Sequence, residues 1–297
     1  MRTETREKFD VVFKQLFRTT GLLTIAILAG IFFMLVYNTV AFFLHFKPLD
    51  FITGTQWSPT GNSSAKYGIL PLLVSTCFVT IGAMCFAIPL GIGAAAYISE
   101  YSTKRMQSIL KPAVEVIASV PSVAIGFLGI TVIGPAIAKI FGLQNGLNAL
   151  NGSVLLAIMS LPTIVTVAED AIHAVPQTYR EGSYAIGANK WQTLIKVTIP
   201  AAGPGLIAAI MLGIGRAIGE TMTVLMATGN SAAIPNGFLD SIRTITATIA
   251  IEMGEVPFQT THYFALFAIA TLLFAITMAV NLIGEALANR LRRFNVT

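Results

Sequence analysis

The sequence predicts an all-α, polytopic membrane protein with six transmembrane helices. Charged residues make up only 11% of the 297-residue chain and hydrophobic residues 55%, whereas a soluble domain averages about 25% charged residues. The apolar residues form long uncharged runs, each about as long as a helix must be to cross hydrocarbon. Short segments of alternating apolar and polar residues, typical of a membrane barrel, are absent from the sequence. The composition also excludes a disordered chain and a disulfide scaffold.

The first apolar segment covers about 20–44. A charged stretch precedes it and no small-residue cleavage site follows it, so we expect a transmembrane helix and not a cleaved signal peptide. This gives a cytoplasmic N-terminal tail at 1–19, and a first transmembrane helix with an extracytoplasmic loop at 20–68. The remaining part, 69–293, is expected to hold five further transmembrane helices.

Five further apolar segments are predicted, and prolines interrupt the first four of them. They cover about 69–98, 113–141, 152–172, 200–229 and 262–288. Hydroxyl side chains lie beside two of the prolines, Pro121 and Pro162. Such breaks fit kinked helices that line a polar pathway, and they equally fit helices that are simply bent. The amphipathic stretch 236–256 is expected to be extracytoplasmic, where it either packs across the outer mouth or meets a solute-binding protein.

Basic residues predict the orientation in the membrane. They concentrate in the N-terminal tail, in the loops after the second and fourth segments, and at the C-terminus. The other loops carry few: Lys47, Lys66 and Arg243. Because cytoplasmic loops of membrane proteins are enriched in Lys and Arg, both termini are expected in the cytoplasm. An even number of spans agrees with that placement.

An ionisable pair lies in the fifth apolar segment. Arg216 and Glu220 are four residues apart, so a continuous helix would place them on one face, where they can pair. Charges in a membrane segment are costly and usually functional. Arginine suits an oxyanion, and a carboxylate could accept the hydrogen of a protonated one, which favours phosphate over sulfate. A purely structural ion pair is the alternative. Thr221 adds a hydroxyl beside the pair.

Two smaller features of the same region have competing interpretations. Gly215 and Gly219 form a GxxxG motif, which permits close helix packing within the chain or against a partner. Glu169 and Asp170 end the fourth segment. Because a carboxylate at a cytoplasmic helix end is easily solvated, we favour solvated acids there over a relay into the pathway.

The stretch 173–199 is long, polar and cytoplasmic by its charge. Glu181 to Ala185 is typical of a helix, and Gly187 suits a turn because glycine accepts a positive φ. Trp191, Leu194 and Ile195 then give a second apolar helical face. Two short helices around a glycine indicate an apolar knob that docks into a partner. An amphipathic helix that lies on the lipid surface is the alternative.

The knob resembles the EAA loop of ABC importer permeases. Glu181, Gly187 six residues later, and the ending Val197-x-Ile199-Pro200 match that motif. The two alanines of the motif are Gly182 and Ser183 here, which are small-for-small changes. The resemblance implies a MetI-like permease fold in which 181–200 is the coupling helix that inserts into an ATPase subunit. It assigns the coupling role to Glu181, Gly187, Trp191 and Pro200.

Other runs are similar to the PstC-type permease subunits of bacterial phosphate importers. The similarity rests on 117–129, 161–176 and 215–222 and covers essentially 65–293. It implies that Arg216 and Glu220, with Thr221 beside them, lie on the phosphate pathway. The Arg-x-x-Gly-Glu pattern also occurs in the sister subunit, PstA, and separates the two subunits poorly.

The resemblance implies the partners. They are a homologous PstA-like permease, two PstB-like ATP-binding subunits and a periplasmic PstS-like phosphate-binding protein. The chain itself is then expected in the bacterial inner membrane. The chain has no Gly-Lys pair and hence no Walker A loop, so ATP hydrolysis is expected in a separate subunit and the chain is not an enzyme. No cofactor, metal or nucleic acid is expected. The alternatives are a permease for sulfate or molybdate, an ATP-independent anion channel or secondary transporter, and a non-transporting sensor.

Overall fold

The structure, a computed structural model, describes residues 2–60 and 65–294 and is almost entirely helical. Its helices are α1 (Arg2–Phe43), α2 (Pro48–Thr53), α3 (Leu70–Ala96), α4 (Lys104–Ser119), α5 (Ser122–Leu128), α6 (Gly134–Phe141), α7 (Ala149–His173), α8 (Gln177–Ala185), α9 (Lys190–Thr193), α10 (Ile199–Ala201), α11 (Gly203–Gly219), α12 (Met222–Ala227), α13 (Ile245–Glu252) and α14 (Thr261–Phe294). Wider π-helical turns follow three of them, at Tyr97–Tyr101, Gly129–Ile133 and Leu194–Thr198. A short antiparallel hairpin pairs β1 (Trp57–Ser58) with β2 (Lys66–Tyr67).

Five helical stretches in the described residues are long and apolar enough to cross a membrane. They are Phe13–Phe43, Leu70–Tyr101, Ser122–Phe141, Ala149–His173 and Thr261–Leu291. A bent pair, Lys190–Ala201 with Gly203–Gly219, meets the same requirement as one unit with a bend of 72°. Counted as one broken span, this pair brings the total to six, in agreement with the sequence. The chain is a multi-pass membrane protein.

The two ends of the helical body are distinct. At one end, which we call the hairpin end, Ile69 just before α3 donates to the carbonyl of Phe51, and Ala149 at the start of α7 donates to that of Asp240. At the other, the α8 end, the turn after α3 and the last residue of α7, His173, both lie beside α8. Helices α3 and α7 therefore connect the two ends.

The core is built on α3, α7 and α11. Ile164 of α7 lies between two glycines of the neighbouring helices: a methyl group added to Gly91 would be 2.7 Å from Ile164 Cγ2, and one added to Gly213 would be 2.6 Å from Ile164 Cγ1. Each helix therefore approaches α7 more closely than any larger residue would permit. The tight contacts of α11 with α7 are made by Gly213 and by Gly205, which lies against Ala171. Within the described residues, nothing lies within 4 Å of a methyl group at Gly219.

Helix α1 packs against α14 and leaves most of its apolar surface exposed. The Thr39 hydroxyl oxygen lies 2.7 Å from that of Thr271, and it donates to the carbonyl of Phe267 at 3.2 Å. Such hydroxyl contacts join membrane helices where the surroundings are apolar. The exposed apolar side chains of α1, such as Phe17 at 72% exposure, are suited to lipid.

The third span is shorter than the segment 113–141 predicted from the sequence. Helix α4 ends at Ser119, Val120 is extended with ψ 127°, and a new helix begins at Ser122. Pro121 explains the break, because a proline disfavours helical geometry at the residue before it. Helix α4 buries none of its residues within the chain, so it is a separate surface helix and the span is Ser122–Phe141.

The fifth segment, predicted as 200–229, is broken twice. The chain bends between Ala201 and Gly203, and α11 ends at Gly219. Glu220 is extended with ψ 132°, and α12 begins at Met222. The prediction of one continuous helix is wrong because contacts from other elements, described below, hold the chain open at Glu220.

The middle of the stretch 236–256, residues 242–248, folds back into the protein. Ile245, Ala247 and Thr248 of α13 are fully buried, and the amide of Ile245 donates to Thr76 Oγ1 of α3 at 3.0 Å. Helix α13 is too short to cross a membrane, so it enters the helical body from the hairpin end and leaves again. This placement brings α13 beside the break at Glu220.

Candidate functional site

The break between α11 and α12 places a carboxylate at the start of a helix. Glu220 Oε1 accepts a hydrogen bond from the amide of Thr223 at 3.2 Å. That amide is one of the first in α12, which have no partner within the helix, so the carboxylate satisfies a donor that would otherwise be free. The hydroxyl of Thr221 makes only a long bond, 3.4 Å, to the carbonyl of Gly219.

Arg216 is half-buried near the end of α11 and does not pair with Glu220. Its Nη1 donates to Thr163 Oγ1 of α7 at 3.0 Å. The ion pairs found among residues 2–60 and 65–294 do not include Arg216 or Glu220. The structural ion pair that the spacing allowed does not form, since the helix ends at Gly219 and the carboxylate of Glu220 instead bonds the amide of Thr223.

This arrangement leaves most of the guanidinium available. An arginine carries five N–H donors in a planar fork, and in the described part of the chain one nitrogen of Arg216 has a partner, Thr163. A cation without a carboxylate is expensive in an apolar environment. The energetic cost is removed when an anion binds, so the geometry is suited to transient binding of an oxyanion.

Thr163 follows Pro162 inside α7, and this is the hydroxyl-beside-proline pattern noted in the sequence. One turn earlier, Ser160 is completely buried and its hydroxyl has no hydrogen-bond partner among the described residues. The sequence showed that α7 carries hydroxyls beside its proline. It did not show that Thr163 bonds Arg216, which lies 53 residues away.

Two threonines, one on α13 and one on α12 itself, hold the break open. The hydroxyl of Thr246, on α13, donates to the backbone carbonyl of Glu220 at 2.7 Å. The hydroxyl of Thr223 contacts the carbonyl of Ser122 at 3.1 Å and the sulfur of Met159 at 2.9 Å. A carbonyl freed by the end of α11 is thus satisfied by a side chain. Thr246 was missed from the sequence, although the alternation of threonines at 244, 246 and 248 marks the stretch as polar.

A second cluster of polar side chains, at the hairpin end, holds α13 in place. The carboxylate of Glu252 accepts from the indole Nε1 of Trp57 at 3.1 Å and from Arg243 Nη1 at 3.1 Å, and it lies 2.8 Å from His262 Nε2. Arg243 Nε also donates to the carbonyl of Asn230. One carboxylate therefore joins the hairpin, α13 and α14, which restricts the position of Thr246 beside Glu220.

Substitution of Thr246 by valine tests this support. Valine keeps the shape of threonine and removes the hydroxyl, so the carbonyl of Glu220 loses its partner. We expect the free energy of unfolding, measured by thermal unfolding of the purified protein, to fall by about 1–2 kcal/mol. Thr248→Val is the matched control, because the Thr248 hydroxyl bonds only the Thr244 carbonyl of its own helix. Equal effects of both substitutions would contradict a specific role for Thr246.

The knob predicted around Gly187 has the expected structure. Gly187 has φ 87°, its amide donates to the carbonyl of Tyr184, and the amide of Ala188 donates to that of Ser183. These two bonds are those of a Schellman motif, which ends α8. Asn189 then opens α9 through a capping box with Gln192. The turn is therefore specified by local sequence.

The residues expected to contact an ATPase subunit are exposed on this knob. Glu181, Gly187 and Pro200 are exposed, and Trp191 is 62% exposed. Ile186 is 86% exposed, and the sequence did not single it out. Inside the knob, the hydroxyl oxygens of Ser183 and Thr193 lie 2.9 Å apart and are both buried. The knob therefore has its own internal contact and presents an apolar outer surface.

Glu169 is buried and paired, contrary to the expectation of a solvated helix end. It is only 4% exposed, and one carboxylate oxygen lies 2.8 Å from Lys111 Nζ on α4. This hydrogen bond raises the pKa of the Lys111 amine above its usual value. The ion pair attaches the surface helix α4 to α7. Asp170, the next residue, is exposed as expected. In the described residues there is no cluster of His, Cys, Asp and Glu that could hold a metal.

Comparison with known proteins gives consistent matches. Residues 87–293 match the family described as "Binding-protein-dependent transport system inner membrane component". The chain is 36% identical to the probable ABC transporter permease protein YqgH of Bacillus subtilis (strain 168), over 82% of this chain and 79% of that protein. It is 31% identical to the phosphate transport system permease protein PstC 1 of Mycobacterium bovis (strain ATCC BAA-935 / AF2122/97), over 82% and 83%.

The fold matches a solved structure of the same class. The inward-facing MetNI methionine ABC transporter aligns with a TM-score of 0.56 over 75% of this chain and 94% of that chain, at 18% sequence identity. This likeness concerns the fold alone, and it confirms the predicted MetI-like architecture. Together with the sequence matches, it shows that the chain belongs to the binding-protein-dependent transport system inner membrane component family, the permease subunits of ABC importers.

Proposed function

We propose that the chain is the PstC-type permease subunit of an ATP-driven phosphate importer and forms the phosphate pathway with a second permease subunit. The observation that carries the proposal is Arg216, a half-buried guanidinium bonded to Thr163 and not neutralised by a carboxylate. Relatives named phosphate transport system permease proteins support the choice of substrate.

The chemistry of the site favours a protonated oxyanion. Arg216 offers parallel N–H groups to two oxygens. Glu220 uses Oε1 to accept from Thr223, and Oε2 has no hydrogen-bond partner in the described residues. A free carboxylate oxygen can accept a hydrogen from phosphate, which carries one near neutral pH, but not from sulfate, which carries none. Thr221, whose own hydrogen bond is long, supplies a hydroxyl beside them.

The rest of the importer follows from the family. The partners in this proposal are a PstA-like permease, two PstB-like ATP-binding subunits that hydrolyse ATP, and a periplasmic PstS-like phosphate-binding protein. The chain itself is non-catalytic. The side of α11 at Gly219 is open within the chain, and this supports packing of the GxxxG motif against the second permease.

The proposal places the chain in the bacterial inner membrane with both termini in the cytoplasm. The α8 end is then cytoplasmic and the hairpin end periplasmic, in agreement with the bias of basic residues. It divides the chain into the tail 1–19, the first span and loop 20–68, and the permease core 69–293, whose coupling loop is 181–200. Closure of the ATPase subunits displaces that loop and switches the pathway between outward-facing and inward-facing states.

Reconstituted uptake tests the substrate and the energy source together. Proteoliposomes that contain the complete importer and its binding protein are expected to take up radiolabelled phosphate only when ATP is enclosed inside them. An excess of sulfate or molybdate is expected not to compete with phosphate. Uptake of sulfate or molybdate in place of phosphate would favour the permease for another oxyanion. Phosphate uptake at full rate without ATP would favour a channel or secondary transporter.

A further inference from the structure

One buried arginine joins the knob to the membrane helices. Arg180 lies in α8, directly before Glu181, and is 8% exposed. Its Nε and Nη2 donate to Glu100 Oε1 at 2.9 and 2.6 Å. Its Nη1 donates to the carbonyl of Val175 at 2.6 Å, and Nη2 also donates to that of Ile172 at 2.9 Å. A single side chain therefore contacts two separate parts of the chain.

The partners of Arg180 are the ends of two membrane helices. Glu100 belongs to the turn Tyr97–Tyr101 that ends the second span. Ile172 is in the last turn of α7, and Val175 follows that helix directly. Carbonyls at the end of a helix have no partner within the helix, and a cationic side chain there satisfies them and complements the helix dipole. Arg180 thus closes the end of α7 and attaches it to α3.

In the part of the chain that the structure describes, the side-chain hydrogen bonds joining α8 to α3 and α7 are those of Arg180. The knob also meets the membrane helices at Lys190, whose Nζ lies 4.8 Å from the centre of the Tyr101 ring, and at Leu194, which is buried in one apolar cluster with Ala96 and Ile172. Buried ion pairs contribute little net stability, since desolvation offsets the attraction. The arrangement of Arg180 and Glu100 is therefore better explained by the geometry it fixes.

We infer that Arg180 is a positioning residue that transmits displacement of the coupling loop to the substrate pathway. Helix α7 is continuous from Ile172 back to Thr163, a distance of roughly 13 Å along its axis. Thr163 is the partner of Arg216. A shift of α8 held by Arg180 therefore moves the end of α7 and, through the rigid helix, the hydroxyl that holds the arginine of the pathway.

The test compares transport with ATP hydrolysis in the complete importer, and it rests on the proposed function. Arg180→Met with Glu100→Leu replaces the pair by apolar side chains, which buried sites tolerate. We expect the importer to assemble and hydrolyse ATP, while the phosphate transported per ATP hydrolysed falls by about tenfold. Arg180→Lys is expected to lower the ratio by less, because the ammonium group keeps a positive charge beside Glu100, although it lacks the planar fork that also reaches the two carbonyls.

The matched control is the other ion pair of α7, Lys111→Met with Glu169→Leu, which attaches α4 and does not touch α8. Its ratio is expected to stay within about twofold of the unmodified importer. An unchanged ratio in the Arg180 variants, or the same loss in the control, would overturn the inference. If the double variant fails to assemble, the ratio of Arg180→Lys decides. Failure of the proposed function is seen separately, as absence of ATP-driven phosphate uptake by the unmodified importer.

Discussion

Alanine at position 216 is expected to reduce ATP-driven phosphate uptake by about 100-fold, the loss typical when a donor to a developing or transferred charge is removed from an apolar site. Arg216 has a planar fork of donors, of which one nitrogen is bonded to Thr163 in the described structure. Alanine leaves the pathway without that positive site. The measurement is the initial rate of phosphate uptake in proteoliposomes with the complete importer.

The absence of an ion pair makes this variant a clean test. Removing one partner of a buried pair would strand the other charge, at a cost of about 3–5 kcal/mol. Glu220 is bonded to the amide of Thr223 and not to Arg216, so its environment is unchanged by Arg216→Ala. We therefore expect normal assembly of the importer, measured by co-purification of its subunits.

Two further variants complete the experiment. Arg216→Lys keeps the charge but loses the bidentate geometry, and an intermediate rate is expected, about tenfold below normal. Arg290→Ala removes an exposed arginine from the end of α14 and is expected to leave uptake unchanged. Near-normal uptake by Arg216→Ala, at equal assembly, would exclude this residue from the phosphate pathway.

The sequence predicted best those features that depend on neighbouring residues. The helix, the glycine turn and the second helix of the knob follow from glycine at 187 and from the capping residues Asn189 and Gln192, all within a few positions. The apolar spans could be located because a helix needs about 20 apolar residues to cross the hydrocarbon core of a membrane. The break at Pro121 could also be expected from the sequence, since proline disfavours helical backbone geometry at the residue before it.

The features that could not be predicted from the sequence depend on contacts between distant residues. The stretch from 215 to 229 has no proline, and Gly219 was interpreted as part of a packing motif and not as the end of a helix. The cause lies 26 residues further on, where Thr246 bonds the carbonyl of Glu220. Likewise, the i,i+4 rule for Arg216 and Glu220 assumes a continuous helix. It failed because tertiary contacts opened that helix.

Aspartate at position 186 is expected to remove the ATPase subunits from the purified importer. Ile186 is 86% exposed at the tip of the knob, beside the positive-φ turn at Gly187. Burial of such a side chain in a partner contributes about 1.5–3 kcal/mol, and an unpaired carboxylate in its place costs several kcal/mol more. The dissociation constant should therefore rise by at least about 100-fold. Co-purification and ATP-driven uptake are the measurements.

Phe258→Asp is the matched control, because Phe258 is 83% exposed and lies just before α14 at the hairpin end. It should leave the ATPase subunits bound.

The comparison separates the two interpretations of the knob. If Ile186 lies in lipid, aspartate weakens contact with the membrane surface but leaves the ATPase subunits in place. If it lies in a cleft of the ATPase subunit, they are lost while the permease stays folded, since the side chain of Ile186 is almost fully exposed within the chain. Retention of the ATPase subunits by Ile186→Asp would therefore contradict the coupling role of 181–200.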